Sequence, residues 1–96
     1  MGFPGGSAYA MAKDIAEGYL LVTERTYNRL LPAELDQLSF EMDRALRDIR
    51  GDQQSLDDLA AIKLRNRKIL RLTSAATMLR SYQLRRRPSG LDKSRG

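Results

Sequence analysis

From Leu56 to Arg87 this chain contains neither glycine nor proline. Nothing in that stretch interrupts a helix, and a chain of 96 residues has room for few other elements of that size. Ser55 stands where an N-cap is expected. Asp57 and Asp58 fall in the first turn, the end of a helix dipole that favours acidic side chains. The spacing of Leu56, Leu59, Ala60, Ile62, Ile69, Leu70, Leu72, Ala76, Leu79 and Tyr82 predicts one helix over Leu56 to Leu84. At the usual rise per residue it would reach ~43 Å. That exceeds what a compact domain of this length needs, so one end is expected to project or to pair with another subunit.

Two further helices are predicted ahead of it. Pro32 suits the first helical position, where its missing N–H costs nothing, and Glu34 and Asp36 follow in the first turn. Leu35, Leu38, Met42, Ala45, Leu46 and Ile49 then form a stripe that Gly51 ends, with Arg50 in the last turn. Upstream, Met11, Ala12, Ile15, Ala16, Tyr19, Leu20, Val22 and Tyr27 predict a helix over Ala8 to Tyr27, with Ser7 as its cap. Gly18 falls inside that helix. It either weakens the helix by ~1 kcal/mol relative to alanine or lets a neighbouring helix approach.

The fold class expected is therefore all-α: a three-helix, mainly antiparallel bundle with a long C-terminal helix and flexible termini. Residues 1–7 read as a flexible lead-in ahead of a helical domain over 8–84, with a basic disordered tail or linker over 85–96 that Pro88 and Gly90 break. A chain this short has a thin core, burying only roughly 60–65% of its unfolded surface.

Histidine and cysteine are both absent. The commonest general base at neutral pH, the commonest metal ligand and all thiol chemistry go with them. No paired carboxylates stand beside an orienting group, and no phosphate-binding loop, EF-hand loop or nucleophile motif occurs. The expectation is a non-enzyme without metal or cofactor. No apolar run approaches the ~20 residues that span a bilayer, and no secretory pattern opens the chain. A cytoplasmic setting is expected, nucleoid-associated if the chain is archaeal or bacterial.

The net charge of +5 hides a division. Residues 1–54 carry six basic and nine acidic side chains, a net of −3, whereas residues 55–96 carry eleven and three, a net of +8. Such asymmetry points to a polyanion or an acidic protein surface as partner, or to neutralisation of one half by the other within the fold. Lys63, Arg65, Arg67, Lys68 and Arg71 crowd into nine residues, of which Lys63, Arg67 and Arg71 line up along one helical face. They are candidates either for a binding ridge or for a solvated face paired with Glu41, Asp43 and Asp48. Asn66 is expected on the seam between Ile62 and Ile69 or Leu70, where a polar residue fixes register or oligomeric choice, unless it faces water. Thr73, Ser74, Ala75, Ala76 and Thr77 make a small-residue patch suited to a subunit contact or to a tight internal crossing. Arg85, Arg86 and Arg87, with Lys63, are candidates for nucleic-acid backbone contact. Aromatic residues are too sparse for a single-strand stacking platform.

The middle of the chain resembles the helical A-domain of the GINS replication proteins, archaeal ones especially. The resemblance rests on Thr23-Glu-Arg-Thr-Tyr-Asn-Arg-Leu-Leu-Pro-Ala-Glu-Leu35 ahead of a helix with Leu38, Met42 and Ile49. It rests also on Leu64-Arg-Asn-Arg-Lys-Ile-Leu-Arg-Leu72 followed by Thr-Ser-Ala-Ala, and it covers roughly Thr23 to Met78. It implies a scaffold that joins sister subunits and a helicase-type complex as an oligomer. Arg65, Arg67, Lys68 and Ile69 would match motif positions in the bundle interior or at subunit contacts, with Asn66, Arg71 and Ala76 beside them. The family's second, small β-rich domain has no counterpart in this sequence. The alternative expectation is a small basic nucleic-acid-binding protein using the third helix and the Arg85–Arg87 run.

Overall fold

Ser7 does cap the first helix: its Oγ accepts from the Ala10 N–H at 3.0 Å. The computed structural model describes Phe3, residues 6–51 and residues 58–86, and these form four helices and no strand. They are α1 (Ala8–Glu17), α2 (Glu24–Asn28), α3 (Pro32–Gly51) and α4 (Leu59–Arg86). Three long helices make the bundle and the short α2 is added to it. The expected 85–96 tail begins later than predicted, because α4 continues to Arg86; its remainder and most of the 1–7 lead-in lie outside the described residues.

The first helix stops ten residues short of Tyr27, and Gly18 is the cause. Gly18 adopts φ +85°, the left-handed region that glycine enters without penalty. Its N–H donates to Ile15 O at 3.2 Å and the Tyr19 N–H to Asp14 O at 2.9 Å, so it terminates α1 rather than weakening its interior. The chain then crosses in extended form to Thr23, which opens α2 through a reciprocal cap with Thr26. Tyr19, expected in the core, is 81% exposed as a result.

Pro32 opens α3, as predicted, and Glu34 Oε1 accepts from the Leu31 N–H at 2.8 Å. Leu35, Leu38, Met42 and Leu46 form its buried stripe, each contributing roughly 1.5–3 kcal/mol on full burial. The predicted cap at Ser55 lies outside the described residues. Asp58 performs that role, its Oδ1 accepting from the Ala61 N–H at 3.1 Å, so α4 begins at Leu59.

α4 packs against α1 and α3. Gln83 bonds Asp36 and Arg65 reaches Ile49 and Arg50, so α3 and α4 run antiparallel. Arg71 bonds Ala16 and Lys68 meets Glu17, so α1 is antiparallel to α4 as well. α1 and α3 therefore run parallel, and the 18–31 return with α2 makes that possible. The core joins Met11, Ile15, Leu38, Met42, Leu72 and Leu79. Tyr27 closes one end: it is wholly buried, its hydroxyl donates to Ala75 O at 2.7 Å, and its ring lies 6.0 Å from that of Tyr82.

The face that α4 turns inward keeps Leu72, Leu79 and Tyr82 of the predicted one but differs from it towards the start of the helix, where Ala60 is exposed. Its seam is Ala61, Arg65, Lys68, Leu72, Ala75, Leu79 and Tyr82, alternating steps of four and three. Leu59 and Leu70, expected inside, are exposed. Asn66 is exposed too, so it occupies no seam within this chain. Among the described residues no helix is long and apolar enough to cross a membrane.

Candidate interaction surface

The parallel course of α1 and α3 has an electrostatic consequence. Both helices end near the same level of the bundle, so two negative dipole ends converge there, with the carbonyls of Ala16, Ile49 and Arg50 turned to cationic donors. The basic string of α4 lies at that level. Arg65 Nε donates to Ile49 O at 3.3 Å and its Nη2 to Arg50 O at 3.4 Å, at the end of α3. Arg71 Nη1 donates to Ala16 O at 3.0 Å, at the end of α1. Lys68 Nζ, between them in sequence, meets Glu17 at 3.1 Å. Half-buried charges on the seam are thus matched to half-charges of opposite sign.

Each predicted site residue can now be placed. Arg65, Lys68 and Arg71 are internal fasteners, and the partner of Lys68 is Glu17 of α1 rather than Glu41, Asp43 or Asp48 of α3. Ile69 and Ala76 are half-buried against the core. Lys63, Asn66 and Arg67 stand exposed on the outer side of α4. The supposed Lys63–Arg67–Arg71 ridge loses its last member to the interior. Of the small-residue patch, Ala75 and Ala76 face the bundle while Thr73, Ser74 and Thr77 face out, which makes it an ordinary internal crossing. Arg85 contacts Glu24. Arg86 ends α4, and Arg87 lies outside the described residues.

Two apolar surfaces that the sequence did not announce remain uncovered. A groove of roughly 400 Å³ separates the 18–22 segment from α4, lined by Ile15, Leu20, Leu21, Val22, Leu70 and Met78 among others. Leu21 is 89% exposed and Leu70 66%. No carboxylate is among the lining residues. Arg71 lines it, and Arg67 and Lys63 continue one and two turns up the same side of α4. The second surface lies at the junction of α1 and α3, where Tyr9 and Phe40 share a shallow depression with Asp36 and Glu41. Both rings are 58% exposed. Asp36 lies one turn before Phe40 on α3 and Asp43 one turn after it, both exposed.

A signal for the groove existed in the sequence. Leu20-Leu21-Val22 begins two residues after Gly18, and three consecutive apolar residues in an extended segment cannot all point inward. Phe40 had a weaker signal, falling off the 35–38–42–46 stripe.

Glu41 Oε1 is buried without a hydrogen bond, with Arg44 Nη1 at 3.9 Å, in a pocket that Lys13, Glu17 and Lys68 also line. Among the described residues no group of three or more acidic side chains is placed to hold a metal ion. Comparison of the chain with models of protein families, with curated proteins and with solved structures finds no match in any of the three.

Proposed function

We propose that this chain is a non-catalytic helical assembly subunit that joins proteins through two separate surfaces. The observation that carries this reading is the pair of exposed apolar patches at different helix junctions, Leu21 with Leu70 and Tyr9 with Phe40. A small bundle that leaves leucines and aromatic rings in water, rimmed by charge, has the composition of a docking surface. Most of the basic string is engaged inside the bundle, which shifts weight from polyanion binding to protein assembly. The resemblance of Thr23 to Met78 to the GINS helical domain suggests the specific form: a replication scaffold joining sister subunits and a helicase-type complex, in a cytoplasmic, nucleoid-associated setting. Sedimentation velocity over a concentration series, with co-purification against replicative helicase and sister subunits, tests it. Self-association or a stoichiometric complex is expected. A chain monomeric at every concentration and binding none of these proteins would sink the reading.

A second reading has one observation in its favour: Lys63, Arg67 and Arg80 are all exposed on α4. With the Arg85–Arg87 run they would hold a nucleic-acid backbone without reading its sequence. Duplex binding across a salt series decides it. A log–log slope near the number of phosphates neutralised supports this reading, and no binding at low salt removes it.

A further inference from the structure

The segment that joins α1 to α2 runs alongside α4. At one end Gly18 lies against the Arg71 guanidinium, and at the other Glu24 meets Arg85. The six steps from Gly18 to Glu24 cover ~20 Å at the rise of a strand, which is also the length of α4 from Arg71 to Arg85. Its side chains alternate as a strand's do: Leu20 and Val22 pack against the core, whereas Tyr19 and Leu21 are exposed. Among the described residues, the N–H groups of Leu21 and Val22 and the carbonyls of Leu20, Leu21 and Val22 take part in no hydrogen bond. The segment is thus a lone strand with unpaired edges. Beside it runs the apolar groove, whose other wall includes Leu70, Ser74 and Met78. Charge along the groove is uneven. Beyond Gly18, Arg67 and Lys63 stand exposed one and two turns before Arg71, neither in an ion pair among the described residues. Towards Met78 the flanking carboxylate is Asp14, one turn before Gly18 on α1, and the far end is closed by Glu24 and Arg85, whose charges cancel.

We infer that the groove receives an extended segment of a partner protein, which pairs with the backbone of residues 20–22 and carries acidic side chains at the end towards Arg67 and Lys63. This names the partner chemistry of one of the two assembly surfaces and rests on that reading. The partner's main chain satisfies the free groups of Leu21 and Val22, which a docked helix cannot do because its own are already paired. Alternate apolar side chains of the segment fall against Leu70 and Met78. Lys63 and Arg67 repel a basic segment and fix the direction of an acidic one.

The test selects short linear peptides from an unbiased displayed library against the full chain. The peptides recovered should alternate apolar and polar residues and carry acidic residues at one end. Leu70→Ser, and the pair Lys63→Glu with Arg67→Glu, should each weaken their binding by about tenfold or more. All three positions are exposed, so these variants should keep their helical circular dichroism. N-methylation of successive peptide amides should abolish binding at every second position, the period of a paired strand edge, and added salt should weaken what remains. Four outcomes overturn the inference: no peptide recovered, none that loses affinity for Leu70→Ser, neutral or basic peptides, or N-methyl sensitivity without the period of two. Sedimentation and co-purification separate it from the reading it rests on. A chain that recovers no such peptide yet self-associates or binds a sister subunit loses the strand contact and keeps its assembly role.

Discussion

Gly18 and Arg71 form a pair in which each residue explains the other. A Cβ built on Gly18 would lie 2.9 Å from Arg71 Cζ, and the backbone there has φ +85°. Alanine would meet both a conformational penalty and a guanidinium seated on the end of α1. Gly18→Ala is therefore expected to cost about 1–3 kcal/mol in denaturant unfolding. In an Arg71→Ala background the penalty should shrink, because the guanidinium it displaces is gone. Full additivity in that double-mutant cycle would show that Arg71 does not sit on the glycine. Tyr27 offers a second test at this scale. Burial raises its phenol above the ordinary value of 10.0, so the folded chain holds the proton more tightly than the unfolded one. Its contribution is thus complete below about pH 10 and declines as pH rises beyond that, when the unfolded phenol ionises first. Tyr27→Phe should cost about 1 kcal/mol at neutral pH through the lost bond to Ala75 O. The variant should also lose stability less steeply in alkali, which urea midpoints at pH 8 to 11 would show. An unchanged alkaline slope would contradict the buried phenol.

At the scale of the element, α4 gathers most of what the sequence concealed. α3 was legible because its buried residues follow one stripe, and Pro32 and Gly51 mark its ends. The first helix is legible to Ala16 and not beyond, since Tyr19, Leu20 and Val22 continue the apolar spacing by accident while the backbone turns at Gly18. In α4, leucines at 59, 64, 70 and 84 point outward, whereas Arg65 and Lys68 hold seam positions. Hydrophobic spacing alone therefore finds the inward face at Leu72, Leu79 and Tyr82 but misplaces it towards the start of the helix. Only the convergence of two helix ends, a tertiary fact, makes a cation suitable there. The site was legible only as "basic": which cations are engaged and which face water depends on the parallel course of α1 and α3. That division predicts a contrast. Arg65→Ala and Arg71→Ala should each lose about 1–2 kcal/mol, as they leave helix-end carbonyls uncapped. Lys63→Ala, Arg67→Ala and Asn66→Leu should stay within about 0.5 kcal/mol, as exposed substitutions do. Equal losses in both sets, by chemical denaturation of the chain in dilute solution, would refute the fastener role.

The whole molecule is consequently uneven along its axis. At one end α4 presents Leu72, Ala75, Leu79 and Tyr82 to α1, α2 and α3, and all four are buried. Tyr27 and Tyr82 add ring contact, and Tyr82 Oη donates to Asn28 Oδ1 at 2.8 Å. At the other end the seam is Ala61, Arg65 and Lys68, none of them fully buried, around an open cleft of roughly 660 Å³ that Arg47, Ile49, Leu64 and Lys68 help to line. Apolar burial stabilises the first end, while charge-assisted bonds to helix termini hold the second, and those are weaker and partly wet. Opening of the second end exposes little apolar surface, so it should occur without global unfolding. Native-state hydrogen exchange should then show the greatest protection for amides of residues 72–82 and 38–46. Residues 60–67 and 47–51 should exchange through smaller openings whose free energy falls as salt is added, because screening weakens the contacts that close them. Uniform protection along α4, or a protected 60–67 segment insensitive to salt, would mean that the bundle opens as one unit and that the cationic end is held by something other than its charges.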